Sequence, residues 1–285
     1  MNDSINFIDN TFDNNNLGNY SLNIQLHEYA VTVCVTEFIK QRSVAIWSST
    51  SKYSLLSEKN ESHALLTLIS ECTIPLKGSY KKTTLAIASK NFSFVPSPLF
   101  DSAEIKKYVE LNNGSQINVK FQYDSMEQDN LNIAFAVSKN TIELLDRTLG
   151  AYELCHHKKV FLNAVSSNYI SNNSVLYANY SNKQLELIYI KNNKFHFGNI
   201  FDIGTPEDFL YYILNTCEQL DINPQALKLV LSGSIKTGDK IHHLAFSYFD
   251  KIQFATAKNS INLAPALAEL PKHYFFTAYN QHICA

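Results

Sequence analysis

Glu28, Asp202, Glu207 and Asp208 are the side chains of this 285-residue sequence best suited to metal-assisted hydrolysis, which needs several carboxylates gathered at the ends of strands. Two of them fit another role better. Glu207 and Asp208 follow Thr205-Pro206, the pattern of a capped helix start, where the positive end of the helix dipole favours acids. Glu28 lies in a turn, and His27 beside it reads as a solvated histidine rather than a base. His156-His157 and His242-His243 are adjacent pairs, and neighbours on a strand or helix point in different directions, which argues against a shared metal. There is no G-x-S-x-G elbow, so Ser232-Gly233-Ser234 reads as a strand-ending turn. The five cysteines, Cys34, Cys72, Cys155, Cys217 and Cys284, show no C-x-x-C spacing and read as reduced core thiols. The sequence thus assigns no catalytic residue and no metal.

Composition narrows the choice further. An apolar content of 45% suits a globular chain with a sizeable core, and a net charge of -2 gives no field to attract nucleic acid or an acidic membrane. Arg42 and Arg147 are the only arginines, which weighs against bidentate recognition of phosphates or bases. The 18 Phe and 16 Tyr are not interleaved with basic residues, so they read as core rather than as stacking platforms. Phe92, Phe94 and Pro96-Ser97-Pro98 are the exception, a stretch read as an exposed patch for a partner. No run approaches the roughly 20 apolar residues that span a bilayer, and the start of the sequence is acidic rather than basic, the opposite of a signal peptide. The expectation is a cytoplasmic protein with no membrane insertion.

The elements that must position these residues come in two series. After an Asn-rich arm over 1–20, expected to be disordered or extended, alternation at Leu22, Ile24, Leu26 and again at Val31, Val33, Val35 predicts a hairpin, and Ser43 to Trp47 a third strand. Helices are predicted at 62–70, 102–111, 138–149 and 158–169, alternating with strands at 82–88, 116–123, 131–137 and 152–155. Ser171-Asn172-Asn173-Ser174 breaks the pattern, and the order restarts with three strands at 175–180, 184–190 and 194–201, joined by polar turns. A helix from Thr205 to Leu220, a strand at 227–231, a helix at 240–249 and a strand at 252–255 follow, with a final helix over 273–284. Strand-helix alternation after an antiparallel opening predicts an α/β fold with a mixed sheet in each half, flanked by helices.

This order resembles the actin-like ATPase (ribonuclease H-like) fold shared by actin, sugar kinases and the bacterial assembly proteins FtsA and PilM. In that family the first hairpin of each half carries a glycine-containing phosphate loop, and a later strand ends in a Gly-Gly adenosine loop. Here Gln25-Leu26-His27-Glu28 and Asn179-Tyr180-Ser181-Asn182-Lys183 hold no glycine, and Ser232-Gly233-Ser234 keeps one of the pair. The chain is also similar, over nearly its whole length, to the Bacteroidetes domain-of-unknown-function family 3822. Leu22-Asn23-Ile24-Gln25-Leu26, Phe94-Val95-Pro96-Ser97-Pro98-Leu99-Phe100, Gly204-Thr205-Pro206-Glu207-Asp208-Phe209 and Leu270-Pro271-Lys272-His273-Tyr274-Phe275 carry that likeness. It implies a bacterial protein with two actin-like domains, 21–170 and 171–258, and a C-terminal segment, 259–285, packing back on the first.

The function this implies is a non-catalytic scaffold that binds an unidentified protein partner or a second copy of itself, with no cofactor. The alternative is a divergent nucleotide binder using ATP and magnesium, for which Gln25, His27, Glu28, Ser181, Ser232 and Gly233 are the candidate residues of a cleft between the halves. A ribonuclease H-like nuclease ranks behind both.

Overall fold

The computed structural model describes residues 4–56, 61–166, 174–181, 183–256 and 262–284. It forms two compact units, Met1–Asn163 with Asn259–Glu269 and Thr277–Ala285, and Ala164–Lys258 with Leu270–Phe276. The division expected at 170/171 lies outside the described residues. The stretch after 258, expected with the first domain, gives its 270–276 portion to the second unit.

In the first unit, β1 (Ile5–Ile8), β2 (Tyr20–Leu26), β3 (Ala30–Glu37) and β4 (Arg42–Thr50) are followed by α1 (Glu61–Ser70) and β5 (Lys82–Ile87). Next come β6 (Phe92–Pro96), α2 (Ile105–Asn113), β7 (Val119–Met126), β8 (Leu131–Ser138), α3 (Lys139–Leu149), β9 (Glu153–His156) and α4 (His157–Ser166), whose last three residues are counted with the second unit. The main sheet runs β1-β4-β3-β2-β5-β9; its first four strands pair antiparallel, whereas β2, β5 and β9 are parallel. Within the arm expected over 1–20 to be disordered or extended, Ile5–Ile8 takes the extended form as an edge strand on β4. Asp9, just beyond it, is buried and accepts hydrogen bonds from Thr11 and from the Ala266 N–H at 3.1 Å.

Period-two alternation decides the two faces of β2. Ile24 and Leu26 share an apolar cluster with Val31, Val33, Leu65 of α1 and Leu145 of α3. Asn23 and Gln25 point the other way into a buried polar network: Thr84 Oγ1 donates to Asn23 Oδ1 at 3.0 Å, and Gln281 Nε2 donates to Thr84 Oγ1 at 2.9 Å and to the Ile24 carbonyl at 3.1 Å. A smaller antiparallel sheet, β6-β8-β7, packs on α2 through Val95, Val109, Ala134 and Ala136. Asp101, not Ser102, caps the entry to α2, accepting from the Ala103 N–H at 2.9 Å. The expected exposed aromatic patch is corrected here. Phe92 is buried against His156 and Phe94 is half-buried, because β6 turns these rings toward neighbouring side chains; only Pro96, Pro98 and Leu99 are open to solvent.

The second unit holds β10 (Val175–Ser181), β11 (Gln184–Lys191), β12 (Lys194–Asp202), α5 (Pro206–Gln219), β13 (Lys228–Gly233), α6 (Lys240–Phe246) and β14 (Lys251–Phe254). Its sheet order is β12-β11-β10-β13-β14, antiparallel across the first three and parallel from β10 onward. That matches β4-β3-β2-β5-β9 strand for strand in order and direction. Asn192 and Asn193 turn β11 into β12 with φ of 51° and 59°, a left-handed pair that asparagine tolerates better than most residues. The predicted start of α5 forms a full capping box between Thr205 and Asp208, and Phe209, Ile213 and Cys217 recur at helical spacing into the core. The chain ends with β15 (Asn262–Leu263), parallel to β4, and α7 (Phe276–Asn280), shorter than the helix expected over 273–284 and continued by a 3-10 turn at Gln281–Cys284. Among the described residues no helix is long and apolar enough to cross a membrane.

Candidate functional site

The C-terminal ends of the parallel strands are where open α/β sheets present their loops to ligands. In the first unit, β2 ends at the turn His27-Glu28-Tyr29, closed by the His27 N–H donating to the Ala30 carbonyl at 2.9 Å. The segment after β4 straps this turn. The Leu55 N–H donates to the Glu28 carbonyl at 2.7 Å, the Ser51 N–H to the Tyr29 carbonyl at 2.8 Å, and Ser54 Oγ to the Glu28 carboxylate. Glu28 is only 7% exposed and His27 only 4%, so His27 is corrected from a solvated histidine to a buried one, and Glu28, in the turn as expected, is buried with it. The His27 ring packs edge-on against His157 with centroids 4.5 Å apart. Gln25, two residues back, is buried with its Oε1 accepting from Thr277 Oγ1 at 3.1 Å. A phosphate cradle needs backbone N–H groups facing open space with no Cβ in the way. This turn offers bulky buried side chains instead.

The ends of β5 and β9 carry a second polar cluster that single-residue reading passed over. His156 Nδ1 accepts from the Lys158 N–H at 3.1 Å, which requires the ring proton to sit on Nε2, donating to the Ser89 carbonyl at 2.8 Å. The His156 N–H donates to Asp124 Oδ2 at 2.6 Å, and Lys159 Nζ lies 3.5 Å from Oδ1. His156, His157 and Lys158 are all fully buried. The signal was present in the sequence as four consecutive polar residues, 156–159, flanked by Leu154-Cys155 and Val160-Phe161-Leu162; such a run inside an apolar context marks a buried polar junction. The two adjacent histidines do diverge, His156 toward Ser89 and Phe135, His157 toward His27.

Burial pushes the Asp124 carboxyl above the usual aspartate range, against the opposing pull of the His156 N–H and Lys159. With the folded pKa above the unfolded one, the group's contribution to stability is full below the unfolded pKa and is lost as pH rises through the folded pKa. Asp124→Asn keeps an oxygen to accept the His156 N–H and has no such titration. The variant is expected to gain on the parent chain as pH rises from acid to neutral, read as the difference in urea midpoints across that range. A pH-independent difference would contradict it.

In the second unit, β10 and β13 end side by side, with Asn179 opposite Ser232 and Tyr180 opposite Gly233. This brings Ser232 and Gly233 together, with Ser181 one residue further along β10. Ser232 is buried, and its Oγ donates to Asn179 Oδ1 at 3.0 Å. Gly233 has φ of +84°; its N–H donates to the His273 carbonyl at 2.7 Å, and the next N–H, of Ser234, donates to the Tyr180 carbonyl at 2.7 Å. His273 Nε2 bonds the Ile235 carbonyl at 2.8 Å, and its ring stacks on Phe254 at 4.0 Å, which in turn stacks with His242. Of the acids considered for a metal, Asp208 Oδ2 accepts from the Gly204 and Thr205 N–H groups at 2.9 and 2.8 Å, and Glu207 pairs with Lys240 at 2.5 Å. Lys240 beside it holds the Glu207 carboxyl below its ordinary range. Both therefore serve the helix start, while Asp202 is exposed at the end of β12.

The sequence profile of the proteins of unknown function grouped as DUF3822 matches residues 9–252. The chain belongs to the DUF3822 family. This DUF3822 member is similar to the crystal structure of a Bacteroides thetaiotaomicron protein with an actin-like ATPase fold and unknown function. The TM-score is 0.75 at 20% identity, covering 86% of this chain and 94% of that one. It is also similar to the PilM-PilN type IV pilus biogenesis complex, with a TM-score of 0.60 at 12% identity, covering 92% of this chain and 97% of that one. No curated protein matches it. At these identities the likeness is one of fold, and the DUF3822 chain has the actin-like ATPase fold.

Proposed function

We propose that the chain is a non-catalytic actin-like scaffold, working in the cytoplasm by binding another protein or a second copy of itself. The observation that carries this reading is the state of the backbone donors at the Gly233 turn. In a nucleotide-binding loop such N–H groups face the ligand; here those of Gly233 and Ser234 both bond carbonyls of the same unit. Gly233 itself is accounted for by packing, since a Cβ there would lie 2.0 Å from the Tyr180 carbonyl oxygen. At the other turn, His27 and Glu28 fill the space that a glycine would leave open. The solved complex of PilM with PilN supports the partner-binding half of the reading, because a protein of this fold there assembles with another protein.

Calorimetric titration of the whole chain with ATP and magnesium tests it. No saturable heat up to about millimolar nucleotide, equivalent to binding weaker than roughly 4 kcal/mol, and no phosphate release are expected. Micromolar binding accompanied by turnover would overturn the scaffold reading in favour of a divergent ATPase.

A further inference from the structure

The opposite end of the second unit's sheet, where the parallel strands begin, carries an unneutralised basic cluster. Lys228 and Lys251 stand directly opposite each other in register at the first positions of β13 and β14. Lys191 and Lys194 are likewise opposed across the β11–β12 turn. Like charges facing each other across a sheet destabilise it. Among the described residues none of these four lysines makes an ion pair. Lys191, Lys228 and Lys251 also line one cavity of about 420 Å³, together with His196 and a single acid, Asp221.

The walls of this cavity are mixed. Tyr189 is buried, and its hydroxyl donates to Ser174 Oγ at 3.1 Å at the rim, while Leu220, Ile222 and Leu227 supply an apolar side. Ammonium groups, an imidazole and hydroxyls beside an apolar wall suit a small organic body bearing charged oxygens. We infer that this cavity is a binding site for a small multiply charged organic oxyanion, a phosphate ester or a polycarboxylate, held by Lys191, Lys228 and Lys251. Such a ligand offsets the repulsion between Lys228 and Lys251, the opposed pair that both line the cavity. The site lies at the strand end opposite the Gly233 turn and stands independently of the scaffold reading.

Pyrophosphate and citrate, titrated separately into the whole chain at low ionic strength, test it. At least one is expected to bind with a Kd in the range of about 10 to 1000 μM. Binding of pyrophosphate alone would assign the site to phosphate, and of citrate alone to carboxylates. Combined Lys228→Gln and Lys251→Gln substitution is expected to weaken the binding at least about tenfold. Lys120→Gln, at an exposed lysine of β7 in the other unit, should leave it unchanged. Should the double variant fail to fold, the parent chain still decides the matter, because a bound anion must raise its melting temperature beyond the effect of sodium chloride at equal ionic strength. No excess rise, no binding below about 10 mM, or equal binding by a folded double variant would each overturn the site.

Discussion

Gly233→Ala is expected to destabilise the second unit by about 3 kcal/mol or more, a large fraction of the roughly 5 to 15 kcal/mol that holds an ordinary domain folded. The new methyl group would sit 2.0 Å from the Tyr180 oxygen and 2.7 Å from its carbonyl carbon, both backbone atoms of the neighbouring parallel strand. No rotamer change relieves a clash with backbone. Moving either strand would break the 2.7 Å bonds from Gly233 to His273 and from Ser234 to Tyr180. A positive φ alone costs an alanine only about 1 to 2 kcal/mol, and Gly238 isolates that part. It has φ of +81° and open space, with nothing within 4 Å of where a Cβ would stand, so Gly238→Ala should show the backbone cost without the clash. The single tryptophan, Trp47, lies in the first unit. Loss of the second unit is therefore better followed by circular dichroism or by hydrogen exchange at Leu229–Leu231 than by fluorescence. Equal midpoints for the two variants would show that the Tyr180 contact does not constrain the turn.

Most of the framework around these turns was legible from periodicity, and the reason is burial on defined faces. Ile24 and Leu26 alternate with polar neighbours because one face of β2 meets α1 and α3, and the Thr205-Pro206-Glu207-Asp208 start was readable because capping is local chemistry. What escaped was set by contacts between distant residues. Ile5–Ile8 gains its strand from β4, some forty residues on, so asparagine-rich surroundings hid it. His27 reads as a solvated turn residue until residues 51–55 and His157 close over it. Lys191 and Lys194 flank a predicted turn, but Lys228 and Lys251 lie far apart in sequence, and only strand register sets them opposite each other. Gly233 reads in sequence as the remnant of a nucleotide loop, but its reason for being glycine, the carbonyl of Tyr180, lies on another strand.

The two turns thereby arrive at the same condition by different means. In the first unit the turn carries buried side chains covered by a following segment; in the second it carries a glycine whose N–H, like that of Ser234, bonds within the unit. Side-chain burial of this kind is worth stability to a domain, whereas an open phosphate loop leaves polar backbone for a ligand to satisfy. Both turns are thus packed structure within their own units, which is what the scaffold reading proposed above requires of them.

His156→Phe is expected to lower stability by about 2 to 5 kcal/mol although the replacement is apolar and of similar shape. The imidazole sits near Phe92 and Phe135, at centroid distances of 4.8 and 5.2 Å, so a phenyl ring would keep the packing. It would not keep the two hydrogen bonds, and the buried Lys158 N–H and Ser89 carbonyl would each lose the partner they have in the parent chain. Leaving a buried donor or acceptor unsatisfied costs about 1 to 3 kcal/mol each. The damage should be local. Ser89 also donates through Oγ to the Ala136 carbonyl at 2.8 Å, so the histidine holds the end of β5 in the position from which it meets β8. Hydrogen exchange is therefore expected to accelerate along β6 and β8 well before it does in β2. Uniform acceleration across the first unit, or none, would show that the small sheet is held by its apolar contacts with α2 and not by the buried junction at His156.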